Sequence, residues 1–197
     1  MTTTGGTRPT ERGPRADSVR NRVRILEAAE AVFGEEGISV PIDRVAERAG
    51  VGVGTLYRHF PTKEALFEAI VLRHFARLVE HARDLEQAPD AAAALHDFLA
   101  EMVEVATAKR DFAEALIGAG IDLKATAGEL KAQLDAALES TFARAQRDGS
   151  IRPEVSFVDL MGLVGGACLQ TSNQFGPVGC SPARMLGIVF GGLRTEG

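Results

Sequence analysis

Four histidines, two cysteines and 27 Asp and Glu side chains are the groups in this chain most often used for metal binding and acid–base chemistry. Their spacing speaks against both. His74, His81 and His96 lie on stretches of helical period, and none belongs to an HExxH pair, a nucleophile elbow or a paired metal-ligand motif. Cys168 and Cys180 have no histidine cluster nearby and match neither a zinc site nor a disulfide framework, so they read as buried or incidental thiols. The run Gly50-Val51-Gly52-Val53-Gly54 superficially resembles a phosphate-binding loop, but no strand precedes it and the P-loop lysine spacing is absent. No catalytic residue, metal or cofactor is expected.

Charge is the more informative chemistry. Residues 1–63 hold ten Lys and Arg against eight Asp and Glu, whereas the rest of the chain holds twelve against nineteen. Arg8, Arg12, Arg15, Arg20, Arg22 and Arg24 face only Glu11 and Asp17, so the positive charge collects at the front. A basic end on an acidic body suggests contact with nucleic acid confined to that end, the plainer alternative being a solvated tail.

The elements that would position such a contact are helical. Periodicity near 3.6 dominates, Pro and Gly gather between periodic segments, and no apolar stretch approaches the roughly 18 residues that crossing a membrane needs. The opening residues lack the apolar core of a signal peptide and read as a flexible basic arm over 1–17 in a protein that stays in the cytoplasm. A first helix is expected from about Arg20 to Phe33, with Val19, Val23, Leu26, Ala29, Val32 and Phe33 on one face and Gly37 as its stop. Two short helices follow, about Ile42 to Ala49 and Val53 to His59. A long helix then runs from the Pro61-Thr62-Lys63 restart to about Leu85. Beyond Pro89 the pattern continues as a larger bundle. Its expected members are an Ala-rich helix through Leu95 and Met102, a short one around Phe112 to Ile117, and one from about Leu123 to Arg147. A further helix is capped by Ser156 with Asp159, and a last one opens at Ser181-Pro182. The expected fold is all-α, about nine helices in total, with a three-helix module over 18–64 joined by a long helix to a bundle over 65–197.

The two short helices joined by a tight turn fit a helix-turn-helix. Ala46 stands where the first helix of such a pair approaches the second and only a small side chain fits. Gly50 falls where the turn needs a positive φ, and Val45, Ala49, Val51 and Leu56 supply a small core. The stretch AVFGEEGISVPIDRVAERAGVGVGTLYRHFPTKEALFEAI, and within it GTLYRHFPTKE at residues 54–64, resembles the DNA-binding domain of the TetR family of transcriptional regulators over roughly residues 20–70.

The resemblance implies a DNA-binding regulator, most simply a ligand-responsive repressor that holds a near-palindromic double-stranded operator as a homodimer. The alternative is a helical small-molecule-binding or protein-interaction module, with an enzyme less favoured still. It implies that the helix from Val53 enters the major groove, where Val53 can meet a thymine methyl, Thr55 a base edge or phosphate, and Arg58 a guanine, while Gly54 permits close backbone approach. Tyr57, His59 and Lys63 match family positions that grip phosphate. Thr62 and the amides beside it add an anion site, and Arg44, Arg20, Arg22 and Arg24 would strengthen the hold. Many relatives have a hydroxyl cap where this chain has Val40 and Pro41, and Asp43 would repel nearby phosphate.

In the larger module, Phe75, Leu78, Phe98, Met102 and Phe112 are candidates to line the pocket of a small-molecule effector. The last two helices carry the candidate dimer surface: Leu160, Leu163, Gly166, Leu169, Leu186, Val189 and Phe190. Such a dimer would set its two reading helices about 34 Å apart, one turn of DNA.

Overall fold

The computed structural model describes residues 14–108, 114, 116–170 and 181–195. The described residues are helical apart from turns and one isolated bridge between Ile151 and Arg194. The chain divides into two compact units, Met1–Leu66 and Phe67–Gly197.

The first unit is built on α1 (Pro14–Glu36), α2 (Ile42–Ala49), α3 (Val53–His59) and the opening of α4 (Lys63–Asp84). α1 starts six residues before the expected Arg20. Asp17 in the first turn suits the positive end of the helix dipole and pairs with Arg20 three residues on, which supports the extra turn. The buried face of α1 is Ile25, Leu26, Ala28, Ala29, Val32 and Phe33. Val19 and Val23, expected on that face, are instead exposed, as are all of residues 16–20, and the buried face begins at Ile25.

The short pair takes the expected bounds for physical reasons that can be read locally. Pro41 occupies the N-cap of α2 in an extended conformation with no side-chain cap. Ile42, Val45, Ala46 and Ala49 turn inward. Gly50 ends α2 in the left-handed region at φ +62°, donating its N–H to Ala46 and Glu47 carbonyls. Leu56 is fully buried on α3, and Thr62 caps α4 by accepting from the Ala65 N–H at 3.1 Å.

The second unit packs around α5 (Ala91–Ala108), which meets α6 (Leu123–Arg147), α7 (Phe157–Gln170) and α8 (Pro182–Leu193). Leu95, Leu99, Val103, Leu138, Ile151, Leu160 and Leu186 are its driest side chains. Arg144 fastens the end of α6 to the turn before α5, donating to Ala88 O at 2.6 Å and Leu85 O at 2.8 Å. Ser181 takes the N-cap position of α8 with Pro182 behind it, although its side chain makes no cap bond. Residues 109–113, where a short helix around Phe112 is expected, and Cys180 lie outside the described residues, as does the Cys168 side chain.

α7 opens with the expected reciprocal cap. The Asp159 N–H donates to Ser156 Oγ at 3.1 Å, while the Asp159 carboxylate accepts from Ser156 N–H at 3.1 Å and Ser156 O–H at 2.6 Å. These bonds from Ser156, the hydroxyl first and the backbone second, hold the Asp159 carboxyl below the usual carboxylate range. A depressed carboxyl contributes stability that is present above its unfolded value and is lost as pH falls through the folded one. An NMR titration of the Asp159 carboxyl is therefore expected to show a midpoint below that of an Asp in a short peptide, and Ser156→Ala, which removes the hydroxyl but keeps the backbone N–H, should move it up toward the ordinary value. A wild-type midpoint at the peptide value would remove the cap from the account.

Candidate nucleic-acid interface

Helix α3 has one inward residue and one outward face. Leu56 is sealed in the core of the unit, so the i, i+4 pairs Val53 with Tyr57 and Gly54 with Arg58 are turned to solvent. Thr55 and His59 are half-buried at the edges of that face. The His59 ring leans on Phe60 with centroids 6.4 Å apart. The Tyr57 and Thr55 hydroxyls and the Arg58 guanidinium have no hydrogen-bond partner among the described residues. A seven-residue helix thus presents two hydroxyls, one fork of five N–H donors and one apolar side chain outward, the set of groups that reads base edges and phosphate.

The other cations whose side chains are described in this unit are engaged. Arg20 pairs with Asp17. Arg44 lies between two carboxylates, Glu47 at 2.7 Å and Glu36 at 3.3 Å, which raise its pKa, the hydrogen bond to Glu36 first among the causes. Arg48 meets Glu35 at 3.4 Å. Arg22 donates to His59 O at 3.3 Å and covers the Phe60 ring at 4.5 Å, and Arg24 donates to Ala49 O at 2.6 Å. The Lys63 ammonium donates to Val40 O at 2.7 Å and stands 5.6 Å from the Phe33 ring centroid. Val40 is the residue before Pro41, where a hydroxyl cap is missing, so Lys63 secures a loop that lacks one. Of the residues expected to touch DNA, then, Val53, Gly54, Tyr57 and Arg58 share one open face. Thr62 uses its oxygen as a cap, and Arg44 and Lys63 are held by protein groups. Charge counting could not find these attachments, since it registers a cation but not the carbonyl or carboxylate that takes it.

The second unit holds a cavity of about 280 Å³ between α4 and α5. Leu78, Phe98 and Met102 of the expected pocket line it, together with His74, Arg77, His81, Glu101 and Val105. Phe75 packs against the core instead, and Phe112 lies outside the described residues. The polar members on α4 fall at i, i+3 and i+7, interrupting an apolar stripe, a signal visible in the sequence. His81 meets Phe98 edge to face with centroids 5.0 Å apart.

The expected dimer surface needs correction in its facing. Leu160, Leu186 and Phe190 are buried in the chain's own core, and Val189 is packed against it. The outward faces are Val158, Gly162, Leu163, Gly165 and Gly166 on α7, and Gly187, Ile188, Gly191 and Gly192 on α8. Val158 is 77% exposed, Ile188 69% and Leu163 49%, large values for apolar side chains. Leu169's side chain lies outside the described residues. The physical reason is that α7 and α8 carry apolar or small residues on most of their circumference, so periodicity alone does not choose which side turns inward. Gly187 and Gly191 also border a hollow of about 350 Å³ with Ala92, Ala93, His96 and Phe190. Among the described residues no helix is long and apolar enough to cross a membrane.

Comparison with known proteins agrees with this architecture. Residues 25–70 match the bacterial regulatory proteins of the tetR family, and residues 90–195 match the C-terminal domain of SbtR-like transcriptional regulators. A crystal structure of a TetR transcription regulatory protein from Mycobacterium vanbaalenii is 38% identical, covers 93% of this chain and 100% of its own, and superposes with a TM-score of 0.75. A TetR transcriptional regulator from Streptomyces coelicolor is 34% identical, with 89% and 99% of the two chains covered and a TM-score of 0.69. An HTH-type transcriptional regulator of Staphylococcus aureus is 37% identical over 73 residues, and this chain spans 40% of the length of that curated relative. With a helix-turn-helix unit and a C-terminal bundle that both match, the chain belongs to the TetR family of bacterial transcriptional regulators.

Proposed function

We propose that this chain is a cytoplasmic, ligand-responsive repressor that binds a near-palindromic operator as a homodimer and carries no catalytic activity. The observation that carries the reading is the outward face of α3, where Val53, Gly54, Tyr57 and Arg58 stand on a helix braced from behind by Leu56 and the close-packed Ala46. Arg58 is the base reader, forked toward a guanine, with the Tyr57, Thr55 and His59 groups and the Lys63 ammonium on adjacent phosphates. Arg58→Ala is expected to weaken operator binding by about 1–3 kcal/mol and to relax preference at one base position. Uniform weakening on every duplex tested would make Arg58 a phosphate contact.

The outward glycine-rich faces of α7 and α8, with Val158, Leu163 and Ile188, form the dimer seam. Small residues let helices approach closely and the three large ones supply apolar area. The effector occupies the cavity between α4 and α5, and its binding changes the shape of α4, the helix whose first turn belongs to the DNA-binding unit. A coupling of roughly 1–3 kcal/mol, or 5- to 150-fold in operator affinity, is enough for switching. The test is a small-molecule screen by thermal shift. Compounds that raise the melting temperature are expected to release DNA from the wild type, and Met102→Trp, which fills the cavity, should bind DNA but ignore them. Operator affinity unmoved by every compound that binds would end the effector reading.

A further inference from the structure

Arg22 and Arg24 stand two residues apart on α1, so they leave the helix about 200° apart and reach different neighbours. Each reaches the same kind of group. Ala49 is the last residue of α2 and His59 the last of α3, and a helix C-terminus carries carbonyls with no partner of their own and the negative end of the dipole. Arg24 donates to the Ala49 carbonyl at 2.6 Å, and Arg22 donates to the His59 carbonyl at 3.3 Å while lying 4.5 Å above the Phe60 ring. The fit around Arg24 is close: a Cβ built on Gly50 would stand 2.8 Å from its Nη2, so the glycine of the turn gives both the left-handed conformation and the space the guanidinium fills.

We propose that Arg22 and Arg24 are positioning residues for operator recognition, fixing the angle of the helix-turn-helix on α1 by holding the carbonyl ends of α2 and α3, and making no phosphate contact themselves. The consequence reaches α3 directly. Its open face is useful only if the helix enters a groove at one angle, and a tilt about α1 would carry Val53, Tyr57 and Arg58 off their contacts together. Charge on the front of the chain is thus divided between cations that hold the reading head and the few that read.

Positioning and phosphate contact differ in salt dependence, because each phosphate neutralised adds about 0.9 to the slope of log affinity against log salt on duplex DNA. The experiment uses the full chain, the duplex that the wild type enriches from a random library, and a scrambled duplex of the same length, with Arg24→Met and Arg22→Met each measured across a salt series. Each variant is expected to bind the selected duplex about tenfold more weakly, to change by less than about twofold on the scrambled duplex, and to keep the wild-type slope. A general loss of structure would weaken both duplexes alike, so the ratio between them isolates the positioning role. Arg22 is exposed, and its variant keeps the test open if Arg24→Met fails to fold. A slope reduced by about 0.9 with equal weakening on both duplexes, or unchanged affinity for the selected duplex, overturns the proposal.

Discussion

If the wild type sediments as the proposed dimer, a chain carrying Ile188→Asp is expected to sediment as a monomer at the same concentrations, and to lose measurable operator binding with its circular dichroism unchanged. Ile188 is 69% exposed on α8, so the substitution removes almost nothing from the core of the chain itself. On an isolated surface it would change stability by less than about 0.5 kcal/mol. At a symmetric seam the same carboxylate appears twice, and burying it without a partner costs several times that amount on each side. Operator binding should follow, since two half-sites one turn apart need two linked reading helices. Leu163→Asp tests the seam from α7, and a wild-type sedimentation profile in both variants would place the dimer contact elsewhere.

Leu56→Ala should be the most damaging single truncation in the DNA-binding unit. Leu56 is fully buried and is the inward anchor of a helix only seven residues long, too short to persist without tertiary support. Removing a buried leucine side chain typically costs about 2–5 kcal/mol, against a total stability of about 5–15 kcal/mol for a domain. The expected result is an early unfolding transition assigned to residues before Leu66, with specific DNA binding lost under conditions where the second unit stays folded. Hydrogen exchange resolved by peptide distinguishes the two units. Protection in α3 equal to that of the wild type would mean that another contact anchors the helix.

The reach of the amino-acid sequence follows from what each element depends on. α2 and α3 were legible to the residue because their boundaries are set locally, by Pro41 before the first, by the left-handed Gly50 between them and by the Phe60-Pro61 break after the second. The caps at Thr62 and at Ser156 with Asp159 were legible for the same reason, since donor and acceptor lie within three residues of each other. The start of α1 was misplaced by six residues because Pro14 and Asp17 favour a helix that no periodic apolar face announces. Long-range choices were the ones hidden. Nothing local marks Arg24 for the Ala49 carbonyl, 25 residues away, or Lys63 for Val40, 23 residues away. Leu160 and Ile188 are both large aliphatic side chains on mostly apolar helices, and only packing sends the first inward and the second outward. In the candidate interface, the outward set on α3 was readable from the family resemblance, while the engagement of Arg44 with Glu36 and Glu47 required coordinates.

The most direct measurement for the central claim is enrichment of random duplex DNA by the purified chain, followed by sequencing and by titration of the enriched duplex. The expected result is a near-palindrome whose half-site centres lie about one helical turn apart, bound by two chains and weakened by Arg58→Ala and Tyr57→Ala. Enrichment of no sequence, or of one bound as well by the Arg58→Ala and Tyr57→Ala chains as by the wild type, would contradict the assignment of α3 as the reading helix.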